Sequence, residues 1–144
     1  MARDISSIIA PLTEDDIIAV ARLSYLLRTL DTHYRKALYG NKLLLTIDEL
    51  YKLADASEAD PLGQLLSEEL QQKIDALCDT AFINLRALYW MPSTPMTWED
   101  ALELSIERGR DTGSKYYLVN KNHLGSYILE ALHLLKTESA IANH

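Results

Sequence analysis

The sequence predicts an all-α fold: a single-domain helical bundle of five or six helices, two of them long. The aliphatic residues are the first reason. There are 26 Leu and 15 Ala against 11 Ile and 2 Val. Leu and Ala lose little freedom in a helix, whereas β-branched side chains prefer strands. Turn chemistry is the second reason, since 5 Gly and 4 Pro are too few for the many tight turns of an all-β chain of 144 residues. The third is a repeated helix-start signal, a Thr or Asp followed by acids or proline, at Thr13, Thr46, Asp60 and Thr97. The length favours one domain, 1–144, with 1–12 and 139–144 expected as frayed tails.

The elements follow in chain order. Thr13 precedes Glu14-Asp15-Asp16, a capping-box pattern whose acids suit the positive end of the helix dipole. Leu12 can staple onto Ile17. This first long helix should reach about Tyr39, with Gly40 as its stop. Val20, Leu23, Leu27, Leu30, Tyr34 and Ala37 recur at spacings of three and four, an apolar seam along about 40 Å of helix. Thr46 and Glu49 form a second capping box, flanked by Leu45 and Leu50, for a short helix from Ile47 to about Ala56. The stretch Asp55 to Pro61 reads as a linker in which Asp60 caps a restart and Pro61 takes the first helical position.

Ser67 either caps a separate helix or lies within one that runs through. Leu70, Ile74, Leu77, Ala81 and Leu88 mark a second long seam ending near Met91, and Pro92 and Pro95 break the chain. Thr97 with Asp100 starts a helix from Trp98 to about Arg108, stopped by Gly109. Residues Asp111 to Ser114 read as a loop, and Lys115 to Val119 as helix or extended linker. Asn122 can cap a last helix in which Leu124, Ile128, Leu132 and Leu135 share a face, its start weakened by Gly125. Cys78 cannot pair within the chain and reads as a small buried hydrophobe.

Composition narrows the function classes. The longest apolar runs are too short for a membrane span or a secretory leader, so a cytoplasmic protein is expected. A net charge of −7 argues against binding double-stranded DNA. That charge is segregated. Residues 22–42 hold five bases and one acid, residues 43–107 three bases and thirteen acids, and residues 108–136 five bases and two acids. Six of the eight tyrosines lie in the two basic segments. Basic helices packing beside acidic ones would explain this pattern. A site for a phosphorylated small ligand or nucleotide would also explain it, provided segments 22–42 and 108–136 meet on one face.

Three constellations carry candidate chemistry. Tyr89, Trp90, Met91, Met96 and Trp98 concentrate both Trp and two of the three Met around two prolines. Such side chains anchor protein interfaces, and they equally plug the end of a bundle. Arg28 and His33 stand on one helix with four residues between. That spacing resembles the Arg–His motif of the HEPN superfamily of small helical proteins, many of them dimeric ribonucleases. The resemblance implies His33 as acid/base and Arg28 as phosphate clamp. It covers six residues, and random placement of the Arg and His present yields roughly 0.6 such matches. The spacing also sets the two side chains about 140° apart on the helix. Glu130 and His133 have the i, i+3 spacing of di-iron bundles, but no second copy exists, so neither metal nor cofactor is expected.

The reading that ranks first is a non-enzymatic protein–protein interaction module, a regulator, adaptor or assembly factor. Its expected partner is another protein or a second copy in a homodimer. Its expected contacts are one leucine seam and Tyr89, Trp90, Met91, Met96 and Trp98. The ribonuclease using Arg28 and His33, and the binder of a phosphorylated ligand, are the alternatives.

Overall fold

The computed structural model describes residues 5–110, 117–119, 121 and 123–142. Among these it contains seven helices and no strand: α1 (Ser6–Ile9), α2 (Glu14–Tyr39), α3 (Ile47–Ala59), α4 (Pro61–Asp75), α5 (Asp79–Ser93), α6 (Trp98–Arg108) and α7 (Leu124–Ala142). The helices are layered in the order α6, α5, α7, α2, and then α4 with α3. The all-α bundle is therefore as expected, with more helices than the five or six read from the sequence.

The caps behave as their chemistry requires. The Thr13 and Thr46 hydroxyls accept from the amides of Asp16 and Glu49, whose carboxylates accept in return from the cap amides. Asp60 accepts from the amides of Leu62 and Gly63, with Pro61 at the first helical position. Thr97 accepts from the Asp100 amide, half of a capping box. Gly40 and Gly109 follow α2 and α6 with φ of 59° and 63°, where a side chain would be strained.

Three expectations are corrected. The second long seam is not one helix. The chain breaks at 76–78, with Cys78 as an exposed N-cap residue rather than a buried one. The apolar spacing survives the break because α4 and α5 send their side chains into the same core. Arg110 secures the break: it donates to the carbonyls of Leu77 (2.5 Å) and Ile74 (3.2 Å) where the chain leaves α4.

The second correction concerns residues 1–12. From Ile5 onward they are not a frayed tail: Ile5, Ile9 and Leu12 are fully buried. The cause is Asn84, whose side-chain amide donates to the carbonyls of Ile9 (2.8 Å) and Ala10 (3.2 Å). At the other end α7 runs to Ala142, past the expected limit at 138. The third correction concerns α3, which continues to Ala59 rather than ending near Ala56. The loop at 111–114, residues 115 and 116 and the cap Asn122 lie outside the described residues; residues 117–119 form a turn.

The core gathers on α5. Nine of its fifteen residues are buried, including Asn84 (5% exposed) and Arg86 (4% exposed). Arg86 donates from Nε to Ser105 Oγ (3.0 Å) and from Nη2 to the carbonyls of Ser105 (2.7 Å) and Gly109 (2.6 Å). It thereby satisfies the C-terminal end of α6, where a cation also meets the negative end of the helix dipole. Its guanidinium lies 5.1 Å from the Trp90 ring and 5.2 Å from that of Phe82.

The α2 seam is buried at Val20, half-buried from Leu23 to Tyr34 and exposed at Ala37. Only the N-terminal half of α2 is therefore core. There α7 crosses so closely that a Cβ on Gly125 would lie 2.9 Å from the Ala21 carbonyl oxygen. The Gly125 amide donates to Ser24 Oγ (3.2 Å). Gly125 is required by this crossing, whatever it costs in helix propensity.

Gly125→Ala should force α2 and α7 apart and lower stability by about 1–3 kcal/mol in urea denaturation. Asn84→Ala should remove the tie on the N-terminal segment. Hydrogen exchange should then show lost protection at the amides of Ala10 and Leu12, with α5 still protected.

Candidate functional site

Within the segment from Tyr89 to Trp98, the two indoles and Met91 turn inward. Trp90 is 9% exposed and Trp98 7% exposed; Met91 is buried, and Tyr89 and Met96 pack partly buried against the core. Trp90 Nε1 donates to the Tyr117 hydroxyl at 3.0 Å. The expected contact set of Tyr89, Trp90, Met91, Met96 and Trp98 packs at the bundle end, with Tyr89 and Met96 half-buried. Composition shows that such residues anchor something; it does not show whether the surface they meet is their own.

The same aromatics position a second group. Tyr117 stands edge-on to Trp90 and Tyr89, each 6.3 Å between ring centres. Tyr127 stands edge-on to Tyr89 at 5.7 Å, and His123 to Tyr127 at 5.9 Å. Lys121 Nζ lies 4.5 Å from the centre of the Tyr117 ring. Tyr117 and Tyr127 are thus rivets that hold residues 117–119, 121 and 123 on α5. Burial pushes the Tyr89 hydroxyl above its ordinary pKa, and the neighbouring Tyr117 and Tyr127 add to this.

Fixed in this way, the second basic segment meets the first. A cleft of about 410 Å³ runs beside α2 and carries Arg28, Asp31 and Arg35 from that helix. These fall on one face because they are spaced by three and four. Ser57 of α3 and Ser67 of α4 line the opposite side, and Lys121 and His123 complete it. Arg35 donates to the Leu43 carbonyl at 3.0 Å. Arg28 makes no side-chain hydrogen bond or ion pair among the described residues. Burial raises the Asp31 carboxyl above its usual range, with Arg35 pulling the other way.

Arg28 and His33 do not meet. Arg28 lines the cleft, while His33 is exposed outside it and stands edge-on to Tyr34, 5.7 Å between ring centres. Tyr34 donates to Asp60, so His33 borders the joint between α2 and the start of α4. Glu130 and His133 are both exposed on α7. Among the described residues no three His, Cys, Asp or Glu side chains are grouped to hold a metal. No helix there is long and apolar enough to cross a membrane.

A different apolar surface lies in the open. At the corner between α2 and α3, Leu43 is 88% exposed and Leu44 84% exposed. Leu38, Ile47, Leu50 and Tyr51 are exposed beside them in the chain. The corner is ordered by Arg35 on the Leu43 carbonyl and by the Tyr39 hydroxyl on the Glu49 carbonyl (3.2 Å). The leucine seams gave no sign of it, because Leu43 and Leu44 belong to neither.

Acrylamide should quench the fluorescence of Trp90 and Trp98 only weakly, because both rings are shielded. Strong quenching of either indole would show its ring to face solvent. Compared with known proteins, the chain matches no family model, no curated protein and no solved structure.

Proposed function

We propose that this chain is a non-enzymatic protein–protein interaction module of the cytoplasm, active as a homodimer, with the α2–α3 corner as its contact surface. The observation that carries the proposal is the exposure of Leu43, Leu44, Ile47 and Tyr51 on one ordered corner. Large apolar side chains that stay in water cost hydration free energy, and contiguous patches of them mark contact sites. Ile47, Leu50 and Tyr51 recur at three and four residues and present one face of α3.

A second copy fits as the occupant by charge. Lys36 and Lys52 are exposed near the patch in the chain together with Asp48 and Asp55, while Lys42 and Glu49 already pair with each other at 2.6 Å. A surface with both signs at its rim can pair with itself across a two-fold axis, each base meeting an acid of the partner. A rim of one sign would repel its copy. The ribonuclease reading lacks such support, because Arg28 and His33 do not share the cleft.

Sedimentation analysis tests the proposal. The wild type should be a dimer, and Leu43→Ser/Leu44→Ser should be a monomer with an unchanged melting temperature, since both side chains are solvent-exposed. A wild type that stays monomeric up to high micromolar concentration would overturn the homodimer.

A further inference from the structure

The cleft beside α2 shares Arg35 with that corner, but its chemistry is of another kind. We propose that it binds a small phosphate monoester carrying an apolar substituent, with the phosphate against Arg28 and Lys121.

Charge is the first argument. The chain carries −7, yet Arg28, Arg35, Lys121 and His123 line the cleft, with Asp31 the one acid among the described lining residues. Three permanent cations against one carboxylate leave a surplus of two charges. That surplus matches a phosphate monoester, which carries about −1.5 to −2 near neutral pH. A di- or triphosphate would exceed it and crowd Asp31.

The state of the donors is the second argument. Arg28 has no protein partner among the described residues, so its planar fork is open for two parallel bonds to phosphate oxygens. Lys121 is half-buried and set by the Tyr117 ring at 4.5 Å. Its ammonium is a point charge already in position. Arg35 commits one donor to the Leu43 carbonyl and keeps the others. The Ser57 and Ser67 hydroxyls supply neutral donors across the cleft. Asp31 can accept from a hydroxyl or amino group on the ester.

The third argument gives the ligand its other end. Arg28 and Ser24 line not only the cleft but also a groove of about 310 Å³ between α2 and α7. Ile18, Ala21, Tyr25 and Leu129 make that groove mostly apolar, and Arg22 and Ser126 also line it. A phosphate held at Arg28 therefore places its ester substituent at the mouth of an apolar channel. An alkyl chain could lie along Ile18 and Leu129, and a planar base could stack on Tyr25. The shared chemistry is a phosphate joined to an apolar body.

Calorimetric titration with inorganic phosphate, hexyl phosphate and adenosine 5′-monophosphate tests this. At least one monoester should bind saturably and at least tenfold more tightly than inorganic phosphate. The tighter of the two identifies an alkyl or a planar substituent. Arg28→Ala and Lys121→Ala should each weaken it roughly ten- to a hundredfold. Lys121 lies outside the helices, so its variant keeps the test valid if Arg28→Ala fails to fold. Arg108→Ala, on the exposed face of α6, should bind as the wild type does. So should Leu43→Ser/Leu44→Ser, which separates this result from the fate of the homodimer. The proposal is overturned if neither monoester binds saturably, if inorganic phosphate binds as tightly, or if binding survives in the folded variants of Arg28 and Lys121.

Discussion

A helix enclosed on nearly every side must find partners for its own polar side chains without water. In α5 the buried Asn84 and Arg86 find theirs at the ends of neighbouring helices. A helix end leaves carbonyls that nothing within the helix can satisfy. Asn84 binds the carbonyls of Ile9 and Ala10 at the end of α1, and Arg86 those of Ser105 and Gly109 at the end of α6, adding to the turn amides that already reach Ile9 and Ser105. Arg110 does the same for α4. The central helix thus settles its own burial and the termination of its neighbours with the same bonds. The guanidiniums of Arg86 and Arg110 both lie against the Phe82 ring, 5.2 and 4.7 Å from its centre.

What could be read from the sequence follows from the range of each interaction. The caps at Thr13, Thr46 and Asp60 were legible because hydroxyl or carboxylate and amide are within three residues of each other. The end of α2 at Gly40 was legible for the same reason. The break between α4 and α5 was not. Leu70, Ile74, Leu77 and Ala81 keep helical spacing across it, and spacing cannot tell one helix from two that share a core. The short helix α1 was out of reach too: four residues show no period, and its anchor Asn84 is 75 positions away from Ile9.

The cleft was half legible. Segregation of charge into two basic stretches is visible in the sequence, and so is the crowding of tyrosines within them. Which tyrosines serve as rivets is a tertiary fact. Tyr117 and Tyr127 pack on Tyr89 of α5, and that packing brings Lys121 and His123 over to the face of α2 that carries Arg28. The aromatic segment around Trp90 was legible only as a set of residue types. Those types are the ones found at interfaces, and its two indoles and Met91 turn inward.

The division of α2 into a buried half and a projecting half has a mechanical consequence. Beyond the crossing with α7, the helix packs on α3 and α4, and α3 has one buried side chain, Leu53. This distal arm holds little apolar contact area per residue. It is therefore the part that opens first when the protein fluctuates, while α5, α6 and α7 stay closed. The cleft spans the joint between arm and body, with Arg35 on one side and Lys121 on the other. Whatever bridges those two cations acts as a brace across the hinge.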